Sequence, residues 1–90
     1  KEITVDPGHR LSYQSHNHRE EYWTVVQGEL TAILEDKELY LPYGHTLHIP
    51  LGAKHRMWNK GKDDLKVVEV QVGSYFGEDD IIRYEDDYER

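Results

Sequence analysis

Six histidines stand in a chain without a single cysteine. Any metal site must therefore be built from imidazole, carboxylate and amide groups, and neither thiolate chemistry nor a disulfide framework is available. Two of the imidazoles fall in the stretch QSHNHREEYWTVVQG, Gln14 to Gly28. On an extended strand alternate side chains share a face, so Gln14, His16 and His18 are predicted to point the same way. After a turn at Arg19-Glu20 a second alternating set begins, with Glu21, Trp23 and Val25 on one face and Tyr22, Thr24 and Val26 on the other. If the first set points inward, Glu21 can reach the same ion as the two imidazoles. Taken alone, this pattern fits a half-exposed strand with polar residues on its wet face at least as well. A third imidazole, His55, follows the turn Pro50-Leu51-Gly52 in GHTLHIPLGAKHRMWN, Gly44 to Asn59. An antiparallel neighbour could bring it opposite His16 and His18.

Further candidates come from the same face argument. Glu69 and Gln71 alternate with Val68, Val70 and Val72, and a carboxylate and an amide suit a wet pocket better than a dry core. Gln14 is placed to meet a substrate hydroxyl or a metal-bound water. Arg19, Arg56 and Arg83 are candidates for binding an anion, because guanidinium matches phosphate in bidentate geometry. Arg56 and Lys54 flank His55 and are expected to point away from it. Glu20, beside Glu21, reads as a solvated turn residue or a base. His9, His45 and His48 have no ligand-type partner at a useful spacing and read as turn or surface residues, and Asn59 beside Gly61 reads as an Asx turn.

The elements needed to position these groups are strands. Helical periodicity is nearly absent, and alternation broken by turn signals about every ten residues predicts an all-β sandwich or barrel. Strands are expected at residues 2–5, 11–18, 22–27, 29–34, 37–41, 46–49, 55–58 and 65–72, with glycine, proline or Asx breakers between them. From Ser74 onward the alternation is lost, and GEDDIIRYEDDYER is expected to form a short helix or an extended strap over the barrel.

Ninety residues fit one domain, and the N-terminal part of the barrel is expected to be truncated, since the chain opens at Lys1. The net charge of −7, from 18 acidic and 11 basic residues, argues against nucleic acid as a partner. No apolar run reaches the roughly 18 residues of a membrane span. A cytoplasmic location agrees with the lack of cysteine. A homodimer is expected, because the sheets of a small all-β chain have edges to cover.

The two histidine stretches together resemble the cupin superfamily. His16, His18, Glu21 and Gly28 fit its first motif, although two residues rather than three or four separate the second histidine from the glutamate. Gly44, Pro50, Gly52, His55 and Asn59 fit the second motif at every fixed position. The resemblance implies a small double-stranded β-helix (jelly-roll) barrel and one divalent metal held by His16, His18, Glu21 and His55. The ligand set does not choose the metal: zinc or manganese come first, with iron, nickel or cobalt also accepted.

The ending is more specific. Glu69, Val70, Gln71, Gly73, Tyr75, Gly77 to Ile81, Arg83, Glu85, Asp86 and Tyr88 resemble the tail of the type II mannose-6-phosphate isomerase domain, which in many bacteria is fused behind a mannose-1-phosphate guanylyltransferase. Asn17 and Tyr22 stand where that family often carries further imidazoles. The resemblance implies an aldose–ketose isomerase that interconverts mannose 6-phosphate and fructose 6-phosphate through a cis-enediol. Glu69 would be the base, with Glu20 in reserve, and Gln14, Gln71, Arg83 and Arg56 would bind the substrate. Two other readings stay open: a metal-containing sugar- or metabolite-binding cupin without turnover, and an iron-dependent cupin oxygenase.

Overall fold

The computed structural model describes residues 1–86; Asp87 to Arg90, the last part of the expected tail, lie outside the described residues. Every regular element in the described part is a strand: β1 Glu2–Val5, β2 Tyr13–Ser15, β3 Arg19–Gln27, β4 Leu30–Leu34, β5 Lys37–Leu41, β6 Thr46–Ile49, β7 His55–Trp58, β8 Leu65–Gly73 and β9 Ile82–Glu85. They form a four-stranded sheet in the order β1-β8-β3-β6 and a five-stranded sheet in the order β5-β4-β7-β2-β9, with antiparallel pairing throughout. This is the all-β architecture that the alternation predicts, in the jelly-roll form that the resemblance implies, and no described helix is long and apolar enough to cross a membrane.

Turn chemistry explains the strand breaks. The β4–β5 hairpin turns on Glu35 and Asp36, both at positive φ, the handedness that matches strand twist in a two-residue loop. Gly28 ends β3 at φ +78°, and a Cβ there would lie 2.7 Å from the Asp64 carbonyl oxygen. Only glycine fits that position.

Alternation on β3 and β8 creates a polarity gradient inside the molecule. Their inward residues pair in rows: Glu21 with Gln71, Trp23 with Glu69, Val25 with Val67. One end is thus polar, and the other merges into a dry core of Val5, Val25, Leu30, Ala32, Ile49, Met57, Leu65 and Val67. The outward residues of the same strands, Tyr22, Val26, Val70 and Val72, face solvent.

Two strands depart by more than a residue from their expected bounds. β3 begins at Arg19 rather than Tyr22, so the expected turn at Arg19-Glu20 is strand, and the bend lies at Asn17 and His18 instead. The strand foreseen from Leu11 to His18 ends at Ser15, because the chain bends through Asn17 and His18. Of the two forms expected for the tail, its described residues take the extended strap: it leaves β8 at Gly73, crosses from one sheet to the other, and adds β9 beside β2.

Candidate metal centre

The polar end of the sandwich opens into a cavity of about 480 Å³, a size suited to a small metabolite. Gln14, His16, Arg19, Glu21, Trp23, His55, Glu69, Gln71 and Arg83 line it, and the strap closes one side with Phe76, Glu78 and Ile81. Registry explains the convergence: β2 sets Gln14 directly opposite His55 on β7, while β3 brings Glu21 from the facing sheet.

His16, Glu21 and His55 are all buried, and each offers a ligand atom within 4.8 Å of the others. His16 Nε2 lies 3.2 Å from Glu21 Oε2, and His55 Nε2 lies 3.8 Å from Glu21 Oε1. Backbone carbonyls orient both rings: His16 Nδ1–H donates to Asp80 O at 2.6 Å, and His55 Nδ1–H donates to Ala53 O at 3.0 Å. Each ring thereby turns Nε2 toward the carboxylate, the arrangement that second-shell partners give metal-ligating histidines. Trp23 Nε1–H donates to Glu21 Oε1 at 2.8 Å and fixes the carboxylate in turn.

The electrostatics agree with this geometry. Burial pushes His55 below its ordinary pKa, leaving it neutral and its lone pair available. Burial also pushes His16 down, but hydrogen bonds to Glu21 and to the Asp80 carbonyl overcome it and raise the ring's pKa. Glu21 is pushed up by burial and held below the usual carboxylate range by the hydrogen bonds it accepts, first from His16 and then from Trp23. A buried carboxylate facing two imidazoles is a donor set that fits a divalent cation.

His18 does not join this group. The bend that ends β2 breaks the alternation on which its placement rested. Its side chain is 56 % exposed, and its Nδ1 lies 3.0 Å from Asp80 Oδ1. Gln14, by contrast, stays on the cavity side with His16. Its amide nitrogen donates to Ser12 Oγ at 2.9 Å, and its oxygen has no hydrogen-bond partner among the described residues.

The other candidates divide as well. Glu69 and Gln71 both face the cavity, and Gln71 donates to the Glu69 carboxylate. Burial, followed by the charge of Glu21, raises the Glu69 pKa above the usual carboxylate range. Glu20 is withdrawn as a base: it sits on the outer face of β3, where it bonds His48, whose ring stacks on Tyr22. Arg56 is buried and held by Leu11 O at 2.8 Å and Glu85 Oε1 at 2.7 Å, so its charge is already paired. Arg19 donates to Gln71 Oε1 and Phe76 O through Nη1 and to Asp80 O through Nη2. Arg83 is exposed at the cavity, and its side chain makes no hydrogen bond or ion pair among the described residues. His9, His45 and His48 are exposed, and Asn59 Oδ1 accepts from Gly61 N–H as the Asx-turn reading requires.

Asp80 escaped the residue-level reading. It holds the first histidine from 64 positions away, a contact that no local spacing announces.

A family profile described as Mannose-6-phosphate isomerase C-terminal matches residues 1–86. The chain belongs to this family. Among curated relatives it is 51 % identical to the xanthan biosynthesis protein XanB of Xanthomonas campestris pv. campestris, over all of this chain and 19 % of that protein. It is 46 % identical to the mannose-1-phosphate guanylyltransferase ManC of Salmonella typhimurium, again over all of this chain and 19 % of the relative. The chain thus spans about a fifth of the length of these relatives. Among solved structures, an uncharacterized conserved protein with a double-stranded β-helix domain from Klebsiella pneumoniae superposes with a TM-score of 0.82. That match covers 93 % of this chain and 67 % of the other at 22 % identity, a likeness of fold. The cupin architecture implied by the two motifs is therefore the one observed.

Proposed function

We propose that this family member is a metal-dependent aldose–ketose isomerase acting on mannose 6-phosphate and fructose 6-phosphate. One observation carries the reading: a single cavity combines a convergent His16–Glu21–His55 set, a buried Glu69 with a raised pKa, and an uncommitted arginine, Arg83. The family to which the chain belongs supports the substrate class, and so does the mannose-1-phosphate in the name of its Salmonella relative.

His16 Nε2, Glu21 and His55 Nε2 would hold the ion, with the Gln14 amide oxygen as a fourth ligand in place of His18. Zinc or manganese suits these donors, and the ion would supply Lewis-acid polarisation of the sugar O1 and O2. The remaining work falls to the chain itself. Glu69 takes the C2 proton of the open-chain aldose, leaving a cis-enediolate; the hydroxyl proton passes from O2 to O1, and Glu69 returns its proton to C1 to complete the ketose. Burial raises its pKa, which makes the carboxylate a stronger base than an exposed one. Gln71 orients it by donating to its carboxylate. Arg83 takes the phosphate, and the strap keeps bulk water from the enediol. A phosphorylated sugar as substrate agrees with a cytoplasmic setting.

The test is to follow mannose 6-phosphate by NMR in D2O with zinc or manganese added to the purified chain. Fructose 6-phosphate carrying solvent deuterium is expected, and its formation should vanish in His55→Ala. Metal-loaded protein that binds the sugar phosphate but never forms the ketose would overturn the reading.

A further inference from the structure

We propose that Asp80 is a positioning residue for the candidate metal centre, latching the strap onto the His16 loop so that His16 Nε2 is the atom offered to the ion. The inference rests on the metal reading above and adds a device that lies outside the ligand set.

Asp80 grips this loop with both its main chain and its side chain. Its carbonyl accepts from His16 Nδ1–H at 2.6 Å. Its carboxylate accepts from the backbone N–H groups of Asn17 at 2.9 Å and His18 at 3.1 Å, and its Oδ1 lies 3.0 Å from His18 Nδ1. The Asp80 side chain is 3 % exposed, so these groups are satisfied within the protein rather than by bulk water.

The neighbourhood is built to press the strap against the loop. Ser74 N–H donates to His18 O at 2.9 Å. A Cβ on Gly73 would lie 2.2 Å from that same carbonyl oxygen, so only glycine lets the end of β8 come this close. Arg19 Nη1 reaches the strap at Phe76 O, 3.1 Å away.

The consequence is chemical. A neutral imidazole exists as two tautomers, and the partner of one nitrogen decides which nitrogen keeps a lone pair. A carbonyl at Nδ1 selects the Nδ1–H form and leaves Nε2 to coordinate. The bend at Asn17 and His18 is what stops His16 from following regular strand geometry, and the Asp80 carboxylate holds that bend. Removing the carboxylate loosens the loop, and with it the ring.

The experiment titrates Zn2+ alone into wild type, Asp80→Ala, Asp80→Asn and His18→Ala, with long-range 1H–15N spectra of the metal-free imidazoles at mildly alkaline pH. The wild-type His16 ring is expected to carry a proton on Nδ1, with or without a second one on Nε2 toward Glu21. Asp80→Ala should weaken Zn2+ binding roughly 10- to 100-fold, the range for loss of a supporting group. Asp80→Asn, which keeps the shape and one acceptor oxygen, should recover part of it, and His18→Ala should bind like wild type. A wild-type His16 found as the Nε2–H tautomer, or folded Asp80 variants that bind Zn2+ as tightly as wild type, would overturn the proposal. If Asp80→Ala does not fold, Asp80→Asn and the wild-type tautomer decide. A wild type that binds no Zn2+ sinks the metal reading, and the tautomer measurement still reports separately on the latch.

Discussion

At the scale of single residues, the proposed centre gives Gln14 the place that the motif resemblance implies for His18. An imidazole is the better donor in general, but position outranks donor strength: Gln14 faces His55 across a sheet pairing, whereas His18 has turned out to Asp80. Gln14→Ala is therefore expected to weaken Zn2+ binding at least tenfold, while His18→Ala leaves it within about twofold; calorimetric titration of both variants checks the pair, and the reverse ranking would restore His18 as a ligand. Glu69 carries the second residue-scale prediction. Its pKa is raised in the folded protein by burial and by Glu21, so the fold prefers it protonated. Its contribution to stability is full below the unfolded value of 4.5 and is lost as pH rises through the folded value. In metal-free protein, Glu69→Gln should therefore melt above wild type at neutral pH. The gap should close as the pH falls below about 4, where both are uncharged at this site. Thermal melts across that range test it, and the same variant should isomerise no substrate.

Elements show where sequence reasoning reached and where it stopped. β1, β5, β6 and β7 have the bounds that their alternation and turn residues predict, because each carries its own local signal. The inward placement of Glu21, Glu69 and Gln71 was legible for the same reason. β9 was not: all four of its residues are exposed, and its reason to be extended lies in pairing with β2, distant in sequence. The early end of β2 has a similar origin, since the Asp80 latch bends the chain at residues that would otherwise continue the strand. What holds the site together between elements is thus tertiary and leaves no periodicity. Turns, by contrast, are local and can be broken locally. Gly28→Ala must carry a Cβ at φ +78° against the Asp64 carbonyl, and should destabilise the fold by about 1–3 kcal/mol. Gly28 caps β3 at the end away from the cavity, so the expected result is a lower urea midpoint with Zn2+ affinity retained. A midpoint equal to wild type would show that the strand end relaxes without cost.

Across the whole molecule, the polarity gradient between the sheets sets stability against function. Rows of apolar residues fill one end, while the other buries Glu21, Glu69, His16, His55 and Arg19. Buried charge is costly unless paired, and the raised pKa of Glu69 beside Glu21 is the sign that this end is imperfectly neutralised without a cation. A divalent ion at His16, Glu21 and His55 would relieve that deficit and bind the folded chain alone, since Glu21 and His55 come from different sheets and His16 from the loop after β2. Linkage then gives the size of the effect: at a free metal concentration 100 times Kd, the folded state gains about 2.7 kcal/mol. For a domain of this size each kcal/mol moves Tm by about 4–8 °C, so saturating zinc should raise Tm by roughly 10–20 °C, and a chelator should reverse it. The rise should be absent in His55→Ala, whose own metal-free Tm supplies the baseline for lost packing. A wild-type Tm that zinc and manganese both leave unmoved would mean that the buried carboxylates are balanced within the protein, and the polar end would then have to be read as a cavity without an ion.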